Sequence, residues 1–305
     1  MFRHLLVPLD GSRMAESVLP ATSALVRRLN ARVTMIHVIE PWAPATVHGE
    51  RHLTEPAEAE SYLKAVAEWF ASREVKADFL VYRDGADVAG SIASRAAELG
   101  ADLVVLCSHG WSGFRGLLFG RVAQQVLQRG AVPVFLTQPS ADGREQPFAC
   151  RRVIVPLDGS EMAETAIPAA SALARVFGAE VLLAWVVPTV TTISGERAAA
   201  MKLMPTAAAA LLDTEAAQAA TYLGDVGARL RDEGVVASVA VDRGEPIRVL
   251  LGLVARRAVD LIVMATHGRS GVGAVWAGSV ASRILAHSTR PILLILIPIP
   301  PGRSD

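Results

Sequence analysis

The hydrophobic residues of this chain fall into short runs separated by longer amphipathic stretches. Leu5–Leu9, Val33–Ile39, Phe79–Tyr82, Leu103–Leu106 and Val134–Thr137 are nearly continuous apolar segments, too short and too β-branched for good helices. Runs of that kind suit strands covered on both faces, the pattern of a buried parallel sheet. Between them, Ala15–Leu29 sets Val18, Leu19, Thr22, Leu25, Val26 and Leu29 at helical spacing, and Val88–Leu99 and Val122–Gln128 behave in the same way. Alternation of the two patterns predicts right-handed βαβ units and an open sheet with helices on both faces.

The pattern is written twice. Leu5-Leu6-Val7-Pro8-Leu9-Asp10-Gly11-Ser12 returns as Val153-Ile154-Val155-Pro156-Leu157-Asp158-Gly159-Ser160, and Met14-Ala15-Glu16 with Pro20 returns as Met162-Ala163-Glu164 with Pro168. Further on, Ala101-Asp102-Leu103-Val104-Val105-Leu106-Cys107-Ser108-His109-Gly110 is echoed by Val259-Asp260-Leu261-Ile262-Val263-Met264-Ala265-Thr266-His267-Gly268. A unit this long far exceeds the roughly 20–50 residues of a solenoid repeat, so each copy is expected to be a complete domain. The expected domains are 1–140 and 151–298, with a linker at 141–150 in the Pro-, Gly- and charge-rich stretch. The second copy's strands are expected at Val153–Leu157, Glu180–Val187, Ser238–Val241, Leu261–Ala265 and Ile292–Ile297. The fold class is therefore α/β, two tandem open, mostly parallel five-stranded sheets. Stretches 41–58 and 188–210 differ most between the copies and read as a loop, or a loop with irregular helix, over one end of the sheet.

Composition narrows the function. The chain has 305 residues, and its 30 Lys+Arg balance 30 Asp+Glu. Without a cationic surplus there is no broad electrostatic pull toward nucleic acid or acidic membranes, and neither is expected as a partner. The apolar stretches break well before the roughly 20 residues of a bilayer span. The N-terminus has no signal-peptide pattern, which predicts a cytoplasmic protein. The two cysteines, Cys107 and Cys150, lack partners at metal-ligand spacing, so no disulfide, zinc site or protein-built metal centre is expected.

Ligands of open α/β sheets bind outside the carboxyl ends of the strands. Three features converge there in the second copy. Asp158 ends the first strand, Trp185-Val186 ends the second, and the loop from Ala265 to Ser279 follows the fourth and opens the helix Val280–His287. A helix start exposes unpaired N–H groups and the positive end of the dipole, so this loop can hold a phosphate.

Here the residues resemble the universal stress protein family, over nearly all of both halves. That family's nucleotide signature is Gly-x-x-Gly, nine residues, then Gly-Ser or Gly-Thr. The second half has Ala265-Thr266-His267-Gly268, the spacer, then Gly278-Ser279-Val280, departing only at Ala265. The first half has Cys107-Ser108-His109-Gly110, the spacer, then Gly120-Arg121-Val122, departing at Cys107 and Arg121. The resemblance implies Rossmann-like domains of the adenine nucleotide alpha-hydrolase-like type that bind ATP with Mg2+ or Mn2+. In the second half, Asp158 would accept hydrogen bonds from the nucleoside and Val186 would face adenine. Gly268 and Gly278 would admit the phosphates and Ser279 would donate to them, with Pro156, Met264, Ala265, His267 and Val280 completing the site. The first-half counterparts are Asp10, Val38, Gly110, Gly120, Arg121, Pro8, Leu106, Cys107, His109 and Val122. Arg121 either pairs with a phosphate or fills the pocket itself. The resemblance also implies an intrachain pseudo-dimer through the final strands, association of two chains, and a regulatory protein partner.

The residues permit other readings. Asp10 and Asp158, each followed by Gly-Ser, are also good turn formers and helix caps. His109 and His267 have no nucleophile motif beside them, so no catalytic residue is assigned. A Walker loop is excluded because the lysines, Lys64, Lys76 and Lys202, never follow a glycine. Gly271-Val272-Gly273 makes a poor dinucleotide fingerprint, with Trp276 where a third glycine belongs. The functional reading is an ATP-binding stress-response protein with the nucleotide as a regulatory or structural ligand. Its rivals are a slow ATPase or nucleotidyl-transfer enzyme, and a partner-binding module that has lost nucleotide.

Overall fold

The computed structural model describes residues 1–44, 46–47, 49–83, 87–108, 120–129, 132–139, 147–192, 204–267 and 280–297. The chain divides into two compact units. One comprises Met1–Ala149, Thr266–Val275 and Pro291–Asp305; the other comprises Cys150–Ala265 and Trp276–Arg290.

In the first unit the strands are β1 (His4–Pro8), β2 (Arg32–Val38), β5 (Ala77–Tyr82), β6 (Leu103–Cys107) and β7 (Val134–Thr137), with the two-residue strands β3 (Thr46–Val47) and β4 (Glu50–Arg51) forming a separate hairpin. The main strands run parallel in the order β5-β2-β1-β6-β7. Leu5, Leu6 and Val7 of the central strand are fully buried, as their unbroken hydrophobicity predicts. The last strand of the chain, β12 (Ile292–Ile297), belongs to this unit and pairs antiparallel with β7, Ile292 opposite Leu136 and Leu294 opposite Val134. That pairing covers the β7 edge, whose four residues are all buried.

The second unit holds β8 (Arg152–Pro156), β9 (Glu180–Val187), β10 (Ala237–Arg243) and β11 (Leu261–His267), parallel in the order β10-β9-β8-β11. The expected strands are present in both halves, with ends shifted by one or two residues. In each half the first strand is flanked by the second and the fourth, so the order reverses beside it and a crevice opens at its carboxyl end.

The helices depart further from expectation. The stretch predicted as one helix, Ala15–Leu29, is two: α1 (Arg13–Glu16) and α2 (Leu19–Leu29). Pro20 has no N–H for the Glu16 carbonyl and its ring crowds that position, so the helix must restart. Pro168 imposes the same break between α6 (Glu161–Glu164) and α7 (Ile167–Phe177). Helices α4 (Val88–Leu99) and α5 (Arg121–Arg129) lie where the periodicity puts them. So does α10 (Val280–His287), while α9 (Pro246–Arg256) is its neighbour in the second half. The divergent stretches end in long helices instead of irregular ones: α3 (Pro56–Ala71) and α8 (Pro205–Asp232). Alanine dominates the first half of α8, so apolar periodicity is faint there although alanine is the best helix former. Among the described residues no helix is long and apolar enough to cross a membrane.

The amino ends of the strands carry their own clamps. Asp102 accepts the backbone N–H groups of Arg3 and His4, and Asp260 accepts those of Arg151 and Arg152. In the second unit Arg152 also donates through Nε and Nη2 to Glu180, at 2.9 and 2.7 Å, and the Ser238 hydroxyl donates to the same carboxylate, tying β8, β9 and β10 together. The Ser238 bond chiefly, with Arg152 adding to it against the opposing effect of burial, holds Glu180 below its ordinary value near 4.5. A carboxyl depressed on folding stabilises the protein above its unfolded pKa, and that contribution fades as pH falls through the folded one. Glu180→Gln is expected to lower stability by about 1 kcal/mol at neutral pH. Urea unfolding at several pH values should show the gap from wild type closing below the carboxylate range; a gap independent of pH would count against this assignment.

Candidate functional site

The crevice at the carboxyl end of β1 is built from a turn that the sequence repeats without change. Asp10-Gly11-Ser12 leaves the strand with Gly11 at φ +89°, a conformation that only glycine adopts at no steric cost. The Ser12 backbone N–H and hydroxyl both donate to Asp10 Oδ1, at 2.9 and 2.6 Å, and the Ser12 Oγ caps α1 by accepting the Ala15 N–H at 3.1 Å. In the second half Gly159 has φ +79°, Ser160 donates to Asp158 Oδ1 at 3.0 and 2.6 Å, and Ala163 donates to Ser160 Oγ at 3.1 Å. The turn-forming reading of both aspartates is thus correct, and it uses Oδ1. Asp158 is solvent-exposed, and among the described residues its hydrogen bonds run through that one oxygen.

Neighbouring strands bring the other expected residues alongside. Leu9 donates to Ile36 and Leu157 to Ala184, so the aspartates stand beside the strand ends that carry Val38 and Val186. Val38 is buried and Val186 half-buried. Leu6 pairs with Val104 and Ile154 with Ile262, so Pro8 and Leu106, and likewise Pro156 and Met264, follow two residues further along neighbouring strands. In the first half, Gly120 donates to the Ser108 carbonyl at 2.9 Å and accepts the Gln124 N–H, drawing the start of α5 onto the end of β6. Cys107, Gly120, Arg121 and Val122 therefore gather at one place, with Arg121 and Val122 exposed. In the second half Met264 is buried, Ala265 half-buried, and Val280, at the head of α10, exposed. His267 ends β11; its side chain, together with His109, Gly110, Gly268, Gly278 and Ser279, lies outside the described residues.

A set of residues with no role in the motif completes the geometry. Tyr222 of α8 donates its hydroxyl to Glu164 Oε1 at 2.7 Å, pinning α6 and hence the turn that precedes it. Burial first, then the Glu164 bond, push the Tyr222 hydroxyl upward. Tyr62 of α3 stands in the corresponding place beside Glu16, and burial followed by that carboxylate pushes it up as well. The repeated Glu16 and Glu164, and the repeated Tyr-Leu pairs Tyr62-Leu63 and Tyr222-Leu223, were the available signals. Trp185 lies against the second turn: a Cβ on Gly159 would come within 2.7 Å of its indole, which also meets Tyr222 edge-on with ring centroids 5.6 Å apart. Arg229 approaches Glu164 at 3.6 Å.

The arrangement offers hydrogen-bond acceptors at the strand tip, an apolar strand end beside them and, at α10, a helix start. Among the described residues no three His, Cys, Asp or Glu side chains form a group that could hold a metal ion. Tyr222→Phe removes a bond to a charged acceptor and is expected to cost about 1.5 kcal/mol. Chemical denaturation monitored by circular dichroism measures it; an unchanged midpoint would mean that the turn is held in place without the tyrosine.

Comparison with known proteins gives the family. The model of the Universal stress protein family matches residues 1–138 and again 149–295. A universal stress protein of Methanocaldococcus jannaschii is 27% identical over 148 residues, spanning 48% of this chain and 83% of that protein. One from Bacillus subtilis is 28% identical over 150 residues, spanning 45% of this chain and 100% of that protein. Among solved structures, a universal stress protein from Archaeoglobus fulgidus superposes with a TM-score of 0.69 at 19% identity, covering 96% of each chain. With its two halves each matching the same model, the chain belongs to the universal stress protein family.

Proposed function

We propose that this protein binds an adenine nucleotide, ATP with Mg2+ or Mn2+, in the crevice of its second half, and that the nucleotide serves as a regulatory or structural ligand. The observation that carries this reading is the Asp158–Ser160 turn. Ser160 occupies Oδ1 and so orients the carboxylate, while the second oxygen of this exposed group is suited to accept a ribose hydroxyl. Val186 and Met264 supply apolar surface of the kind adenine needs. Gly268, Gly278 and Ser279 would meet the phosphates with backbone N–H groups and a hydroxyl ahead of α10. The cation would arrive with the phosphates, which supply oxygen ligands themselves. When bound, the nucleotide brings two charged and hydrogen-bonding ends that join strand tip to helix start, and a ligand that favours one arrangement of those loops shifts the population toward it. We further propose a cytoplasmic protein in which the two halves form an intrachain pseudo-dimer through their last strands. The β7–β12 pairing supports this. Two chains would then associate, and a regulatory protein would respond to the nucleotide-bound form.

Chromatography of the nucleotides released from the purified protein tests the reading directly. Retained ATP is the expected result; steady production of ADP or AMP would favour an enzyme, and no adenine nucleotide at any concentration would leave a scaffold. Gly278→Val places a branched side chain where the phosphates must approach the backbone. It is expected to weaken ATP binding at this half by at least about a hundredfold in calorimetry, since a phosphate cradle held by backbone N–H groups has no second way to form.

A further inference from the structure

The second half has a length of helix that the first lacks. Tyr62 and Tyr222 occupy corresponding places, each beside the glutamate of the short helix that follows the turn. Helix α3 begins at Pro56, six residues before its tyrosine, whereas α8 begins at Pro205, seventeen residues before Tyr222. Ala208 and Leu212 of the added turns, with Ala216 and Ala219 after them, form one apolar cluster with Val187, Val190, Val241 and Trp185. The amino half of α8 is therefore seated on the carboxyl end of β9.

That seat borders two residues of the candidate site. Val187 directly follows Val186, the residue that faces adenine in the nucleotide reading. Trp185 precedes it and reaches the other side, where its indole lies against Gly159, next to Asp158, and meets Tyr222 of α8 edge-on. The helix is held there lightly. Among the described residues of 205–219, Leu212 is the one large apolar side chain that is buried, whereas further along Leu223, Val226 and Leu230 all are. Thr214 and Thr221 turn their hydroxyls back to the carbonyl groups of Ala210 and Ala217, at 3.0 and 3.1 Å, a bond that slightly weakens a helix. The ion pair of Arg243 with Asp213, at 2.6 Å, is too exposed to add much. With little apolar surface to lose, the amino half of α8 opens at lower cost than the rest of the helix.

We propose that the amino half of α8 registers nucleotide in the second crevice, with Trp185 as the positioning residue that links the helix to Asp158. A ligand held by Asp158 and Val186 fixes both borders of the seat, and the helix docks on it more firmly. The inference rests on the nucleotide reading above and adds to it how the bound ligand alters the rest of the protein. Linkage makes the effect reciprocal: a docked helix raises affinity by the factor by which ligand favours docking.

Hydrogen exchange of the full chain, with and without saturating Mg2+ and ATP, reads the helix, and calorimetry reads affinity. Bound ATP is expected to slow exchange over residues 208–219 about fivefold, with Leu223–Leu230 changing less. Trp185→Ala is expected to retain ATP but lose that protection, and Trp185→Phe, which keeps a ring between Gly159 and Tyr222, to restore part of it. Leu212→Ala, remote from any nucleotide contact, should speed exchange in the free protein and weaken ATP binding by up to the same fivefold. ATP bound with exchange over 208–219 unchanged overturns the proposal and leaves the nucleotide reading standing. So does full protection in Trp185→Ala. Should Trp185→Ala fail to retain ATP, Leu212→Ala decides: faster exchange with unaltered affinity overturns the link, and weakened affinity upholds it. No binding by the wild-type chain at millimolar ATP defeats the nucleotide reading itself.

Discussion

Each half of the molecule turns on a single aspartate oxygen that receives two hydrogen bonds from the serine two residues later. The central strand of a parallel sheet must leave its neighbours at the carboxyl end and reverse into a helix, and it does so here within three residues. Glycine at positive φ makes the reversal, serine caps the helix that follows, and the aspartate locks the serine. Proline four residues after the Glu16 and Glu164 carbonyls then ends each short helix and starts the longer one that packs on the sheet. Because the turn sits where the strand order reverses, the same bonds that close it also fix an acceptor at the mouth of the crevice.

From this common frame the two halves diverge in what covers the turn. In the first, Leu53 packs against Gly11 and Glu50 accepts the Arg13 N–H. In the second, an indole fills the space over Gly159 and a guanidinium sits beside the glutamate. None of these residues belongs to the glycine motif. Duplication preserved the hydrogen-bond geometry of the turn, within about 0.1 Å in each bond, while the side chains packed around it differ.

Much of the fold could be read without coordinates. The strands declared themselves because residues buried on both faces must all be apolar, and Val134–Thr137, Glu180–Val187 and Ile292–Ile297 have the bounds their sequence suggested. Helices were legible where one face alone is buried, as at Val88–Leu99. Ala15–Leu29 misled because its apolar spacing runs unbroken through a proline whose effect is on the backbone. Pro205–Asp232 stayed hidden because alanines mark no face. In the candidate site, Asp158 and Val186 were proposed from their positions at strand ends and Asp10 and Val38 from the resemblance, whereas Tyr62, Tyr222 and Leu53 act across distances along the chain that no local motif spans.

The sequence by itself determined that two copies of one α/β unit exist, where their strands lie, and which turn residues recur, since hydrophobic period and turn chemistry are local properties of the chain. Only the tertiary structure decided which way the last strand pairs, which tyrosine holds which glutamate, and that the loop after β2 comes to rest on Gly11. Those outcomes depend on which surfaces meet when separated segments pack, and a pairwise contact between distant segments leaves no periodic trace in the segments themselves.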